Sequence, residues 1–182
     1  FFDGPVVTCG RGVQSAAIAE YVLAAILLHE KRFDEMTVRR AEDWVPAPLG
    51  GVKGRTVGIA GLGAIGREVA DRALAFGAQV AAVRRSRGAA VARGIAVVDS
   101  REELFAMSDH LVLALPLTAE TRGIVGDRVL AAAKPGLHLV NVSRGALVDT
   151  EALGRALDGG RIGFATLDVT EPEPLPAFAG DD

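Results

Sequence analysis

One cysteine, Cys9, occurs in 182 residues. It excludes an internal disulfide and fits a reducing, cytoplasmic setting. The opening FFDGPVV carries neither a charged n-region nor a long apolar run, so no signal peptide is expected there. It also lacks an initiator Met, and a missing N-terminal portion is the corresponding expectation. The most apolar segment, AAIAEYVLAAILL at 16–28, is interrupted by Glu20 and falls short of the ~20 residues that span a bilayer. Neither sign of charge dominates. A formal net charge of -3 gives no general electrostatic attraction to nucleic acid, so any basic patch must be local.

What remains is an ordinary soluble-type composition, 49% hydrophobic and 24% charged, long enough to bury a full core. Within 16–28, the positions Ala17, Ile18, Tyr21, Ala24, Ala25, Leu27 and Leu28 predict a helix buried on most sides, in the core or at a subunit interface. EDWVPAPLGGVKG (42–54), with two prolines and three glycines, reads as a connecting loop.

From Arg55 onward apolar strands alternate with helices. RTVGIAG, QVAAV, GIAVV, HLVLALP, GLHLVNV and GFATLDV read as strands. AIGREVADRALAFG, REELFAM and DTEALGRALDGG read as helices, the first with Ile65, Val69, Ala73 and Phe76 facing inward and Gly77 as its C-cap. Uniformly apolar strands separated by helices predict an α/β fold, a Rossmann-type doubly wound parallel sheet with helices on both faces. The whole of 1–182 reads as one dinucleotide-binding domain.

GLGAIG fits G-x-G-x-x-G at Gly61, Gly63 and Gly66, between a strand and an amphipathic helix. There Gly61 makes the tight turn, Gly63 admits a pyrophosphate to the backbone, and Gly66 lets helix and strand approach. The residue that reads the adenosine ribose is expected ~20 positions further, at the end of the second strand. Arg84 stands there, 18 residues after Gly66, followed by Arg85 and Ser86. A guanidinium offers no acceptor to a ribose 2′-hydroxyl but forms forked bonds to a 2′-phosphate. The stretch therefore favours NADP over NAD.

Three more segments fall at strand ends: LPLTAETRGIVG with Pro116, VNVSRGALVDTEAL with Ser143–Arg144–Gly145, and LDVTEPEPLP with Asp168, Glu171 and Glu173. In an open α/β sheet ligands bind off the carboxyl ends of strands, so these segments converge on the edge that holds GLGAIG. Hydride transfer to a 2-oxo acid needs a cation for the carboxylate and carbonyl, and a proton donor charged by a carboxylate. Arg144 suits the first need and Glu173 the carboxylate; Glu171 reads as a solvated acid on the exit loop.

GVQSAAIAEYVLA, GLGAIG, LPLTAETRGIV, NVSRGALVDTEAL and LDVTEPEPLP, in this order, resemble the nucleotide-binding domain of the D-isomer-specific 2-hydroxyacid dehydrogenases over about 6–176. The resemblance implies that Arg144 binds and polarises substrate and that Glu173 is the catalytic carboxylate. It also implies that Ala64, Ile65, Val142, Ser143 and Asp168 contact the dinucleotide, Asp168 near the nicotinamide amide. The expected substrate is a small 2-oxo or 2-hydroxy acid such as glyoxylate or hydroxypyruvate, and the expected partner a second copy docked through 16–28. The sequence departs from the family at Arg84, where an acid is usual, and at Cys9, where Asn is common. The family's catalytic histidine lies farther past Glu173 than the nine residues present, so this chain is expected to lack it, together with the other domain, and to be nearly inactive alone. His29, His110 and His138 read as packing or surface residues. A dinucleotide sensor on the same fold is the alternative to an enzyme. A short-chain reductase is unsupported, because the lone Tyr21 stands in no Tyr-x-x-x-Lys.

Overall fold

Each of the four central strands presents alternate residues to two different helix layers, and that alternation organises the domain. The computed structural model describes residues 8–10, 12–33, 35–36, 38–44, 46, 48–83 and 94–174. Six strands form one sheet: β1 (Thr56–Ala60), β2 (Gln79–Val83), β3 (Ile95–Val98), β4 (His110–Leu113), β5 (Leu137–Asn141) and β6 (Ile162–Leu167). Their order is β3-β2-β1-β4-β5-β6, and every pairing is parallel. This is the doubly wound order, with its switch point between β1 and β4.

On one face, α1 (Ser15–Lys31) and α2 (Ala64–Ala75) cover Val57, Ile59, Val80, Ala82, Val112 and Val140. On the other, α3 (Arg101–Met107), α4 (Asp127–Ala131) and α5 (Thr150–Asp158) cover Ala60, Ala81, Leu111, Leu113, Leu137 and Leu139. Burial on both faces explains why β1, β2, β4 and β5 read as nearly unbroken apolar runs. The helix starts are locally encoded. Ser100 accepts from the Glu103 amide at 3.1 Å and Asp149 from the Ala152 amide at 3.0 Å, capping α3 and α5. Gly77 adopts φ +76° just after α2, as the C-cap reading requires.

Two packing expectations are corrected. α1 buries a single face, Ser15, Ala19, Val22, Leu23, Ala25, Ile26 and Glu30; Ala17, Tyr21, Ala24 and Leu28 form an exposed stripe, with Tyr21 and Leu28 each 42% accessible. Apolar residues all around a helix do not reveal which side meets the sheet. Phe76 is 48% exposed, because α2 ends at Ala75 and the chain turns away before the next inward position. The short α4 had no visible periodicity in five residues. Among the described residues, no helix is long and apolar enough to cross a membrane.

Candidate functional site

At the β1–β4 switch point the three glycines meet three different demands. Gly61 has φ +107°, and a Cβ there would stand 2.6 Å from the Ala114 carbonyl oxygen. A Cβ on Gly66 would stand 2.1 Å from the Gly61 carbonyl oxygen, so this glycine sets how closely α2 sits on β1. Gly63 is the opposite case: nothing lies within 4 Å of where its Cβ would be. The space is open, and the backbone there is accessible. Gly63 is also the N-cap of α2 and supplies no side-chain cap, so the first amides of that helix are left to face an anion.

A cavity of about 450 Å³ opens over this turn, lined by Gly12, Ser15, Gly63, Ala64, Ile65, Ala114, Leu115, Pro116, Leu117, Ser143 and Arg144. A second, of about 620 Å³, shares Leu115 and runs past Val83, Asp99, Ser100, Arg101, Glu102, Glu120, Thr121, Ile124 and Arg128. Together they follow the carboxyl edge from β5 to the end of β2, the span an extended dinucleotide needs. Arg128 pairs with Glu102 at 2.7 Å across the second cavity's rim. The open backbone at Gly63, the uncapped helix start and the paired cavities all fit a dinucleotide.

The strand-end turns are built by side chains. Buried Asn141 ends β5; its Oδ1 accepts from the Ser143 amide at 3.1 Å and its Nδ2 donates to the Arg144 carbonyl at 3.0 Å. Ser143 Oγ donates to the Leu115 carbonyl, tying this turn to the β4 exit loop. In that loop Thr121 Oγ1 donates to the Pro116 carbonyl at 2.7 Å. Val142 is buried beneath the turn. Arg144 is exposed at the cavity, and its Nη1 donates to the Ser143 carbonyl at 2.6 Å. Asp149, five residues on, caps α5.

The β6 exit loop passes directly over this turn. A Cβ on Gly145 would lie 2.0 Å from the Thr170 carbonyl carbon. Glu171 is exposed but paired rather than merely solvated: Arg122 Nη1 reaches its Oε1 at 3.1 Å, and Thr150 Oγ1 donates to its carbonyl at 3.3 Å. Asp168 and Glu173 are exposed beyond β6. Among the described residues, no hydrogen bond or ion pair joins Glu173 to Arg144, although their two loops touch. Arg84, Arg85 and Ser86 lie outside the described residues; β2 ends at Val83, immediately before them. Cys9 is exposed.

Sequence reasoning missed Gly12, Ser15 and Asn141. The first two lie in GVQSAA at the start of α1, and only tertiary packing brings them to the glycine turn. A signal for Asn141 was present, since an amide side chain closes the strand run LHLV. The three histidines lie at the amino edge of the sheet and line neither cavity.

The parallel sheet, the glycine turn and the crevice at its switch point define a Rossmann-type dinucleotide-binding domain. Residues 23–179 match the NAD binding domain of the D-isomer specific 2-hydroxyacid dehydrogenases, and the chain belongs to that family. It is thus an NAD(P)-type cofactor domain. It is 42% identical to a glyoxylate reductase of Aeropyrum pernix, covering 94% of this chain and 55% of that protein. It is 46% identical to 4-methyl-2-oxopentanoate reductase A of Aspergillus oryzae over 68% of this chain and 37% of the relative. A crystal structure of a D-isomer specific 2-hydroxyacid dehydrogenase from Xanthobacter autotrophicus Py2, in complex with NADPH and MES, superposes with TM-score 0.84 at 32% identity, covering 98% of this chain and 75% of that one. The chain therefore spans about half or less of the length of these curated relatives.

Proposed function

We propose that this chain is the cofactor domain of an enzyme that reduces a small 2-oxo acid, of the glyoxylate or hydroxypyruvate kind, with NADPH in preference to NADH. The observation that carries the reading is the placement of Arg144 in the same cavity as Gly63, Ala64 and Ile65. A cation then stands at the β5 end of the crevice, where the reactive end of a dinucleotide laid across the carboxyl edge of the sheet would meet an anionic substrate. When bound, the reduced nicotinamide supplies the hydride. Arg144 holds the substrate carboxylate and draws charge toward the carbonyl oxygen. Glu173 orients and charges a proton donor, which is assigned to the rest of the protein because none of the chain's histidines reaches this cavity. Ala64, Ile65, Pro116, Val142, Ser143 and Asp168 are assigned to dinucleotide contacts.

The NADPH preference rests on Arg84, Arg85 and Ser86 following the end of β2. The exposed stripe Ala17, Tyr21, Ala24 and Leu28 supports pairing of two copies through α1, and the lone cysteine supports a cytoplasmic setting. Titration of the chain with NADPH and NADH tests the cofactor reading. Tighter binding of NADPH is expected, narrowed or inverted by Arg84→Asp; equal affinities in the native chain overturn it.

A further inference from the structure

The amino edge of the sheet, opposite the crevice, holds a polar cluster for which the proposed reaction has no use. His110 and His138 lie side by side at the starts of β4 and β5, both fully buried. Their Nδ1 atoms face each other at 3.1 Å. His110 Nε2 is 3.1 Å from Oε1 of buried Glu30, in the last turn of α1. His138 Nε2 is 2.9 Å from Thr166 Oγ1 on β6.

Proton counting orders this chain. A carboxylate only accepts, so His110 Nε2 donates to Glu30. A neutral His110 then has a bare Nδ1, which accepts from His138 Nδ1–H. A neutral His138 in turn has a bare Nε2, which accepts the Thr166 hydroxyl. With both rings neutral and Glu30 ionised, every member is satisfied in one direction only, from Thr166 through His138 and His110 to Glu30.

The surroundings oppose added charge on the rings. From α1, His29 stacks on His138 with centroids 4.6 Å apart. From β6, Phe164 covers His138 at 5.4 Å. From the segment entering β1, Arg55 Nε meets Glu30 Oε1 at 3.2 Å and its Nη1 meets Asp109 Oδ1 at 3.6 Å. Ahead of β5, Lys134 reaches the same Asp109 oxygen at 2.6 Å. Just past α1, Arg32 and Glu35 line the cavity of about 340 Å³ that borders His29 and Glu30. Two imidazolium rings would aim Nδ1–H at Nδ1–H inside this packing, so the closed arrangement cannot hold both.

We propose that Thr166, His138, His110 and Glu30 form an acid-sensitive latch, which fastens the C-terminal end of α1 to β4, β5 and β6 and cannot stay closed with both histidines charged. Glu30 also seats the segment that returns to β1. The Gly50 amide donates to the Glu30 carbonyl at 2.8 Å, and Lys31 Nζ donates to the Gly50 carbonyl at 2.7 Å. At its other end α1 places Ser15 in the cofactor crevice. The latch and the crevice therefore share one rigid helix. Once the latch opens, the freed rings take up protons below their ordinary value, and acid pulls the equilibrium open.

Two measurements on the chain test this. Long-range ¹H–¹⁵N NMR at pH 7 is expected to show His138 protonated on Nδ1 and His110 on Nε2; the opposite pair of tautomers, or a charged ring, overturns the latch. Hydrogen exchange is expected to show protection of residues 27–31 falling by up to about tenfold per pH unit for each histidine freed below pH ~6.5, ahead of residues 69–73 in α2. Equal decline in the two helices overturns the proposal. His138→Gln, which keeps a donor and an acceptor but cannot titrate, is expected to reduce the slope by one histidine's share, and an unchanged slope counts against the latch. Should that variant fail to fold, the two measurements on the native chain decide.

Discussion

Gly61 and Ala114 approach so closely that a single added methyl on Gly61 would stand 2.6 Å from the Ala114 carbonyl oxygen. This contact joins the exits of β1 and β4 and so creates the crevice. Gly61→Ala combines that clash with an unfavourable φ of +107°, and a loss of ~1–3 kcal/mol is expected. Urea denaturation checks it; an unchanged midpoint would show that the turn can relax at no cost.

Gly63→Ala should behave differently. Its added methyl meets nothing in the protein, so stability should stay within ~0.5–1 kcal/mol of the native chain. Dinucleotide affinity should nevertheless fall by about tenfold or more, because the methyl occupies the space offered to the pyrophosphate. Calorimetric titration of both glycine variants separates the two roles.

Arg144→Ala in the full-length protein should lower turnover by ~10²-fold or more while cofactor affinity survives. Near-normal turnover would remove Arg144 from the reaction. Gly145→Ala offers a companion test. Its methyl would drive off the Thr170 backbone and with it the loop that carries Glu173, so turnover should fall without any change to Arg144 itself.

Stability should decline in acid through the buried histidines. Burial pushes His110 down to about 4 against the pull of Glu30. His138 is pushed down to about 3, first by burial and then by His110 and His29. Between these values and the ordinary 6.5 the unfolded chain holds protons that the folded chain does not, so lowering pH favours unfolding. Their contribution is full above pH ~6.5 and is lost as pH falls toward 4 and 3. Asp109 adds a later loss. Burial raises its carboxyl, but Lys134, the Thr56 amide and Arg55 outweigh burial and hold it below 3.8, so its contribution goes only in stronger acid. Denaturation midpoints between pH 7 and 4 check the sign; a flat profile would contradict it.

Much of the fold was legible because its signals are local. Apolar strands and the Gly77 turn, with φ +76°, each depend on residues within a few positions. The glycine turn was legible for the same reason. α4 was not, since five residues carry no readable period. Nor was the outward turn of Phe76, which depends on where α2 stops.

By itself the sequence determined the doubly wound class, the dinucleotide turn and the family, all written in short motifs whose chemistry acts over one turn or one strand. Tertiary structure decided which face of α1 is buried, because apolar residues on all its sides leave the choice to packing against α2 and the sheet. It also decided that Asn141 holds the Arg144 turn and that Gly145 lies beneath Thr170. It gathered Glu30, His110 and His138, up to 108 positions apart, into one hydrogen-bonded chain. Parallel strands place residues from distant segments side by side at one edge, and no local spacing in the sequence records that meeting.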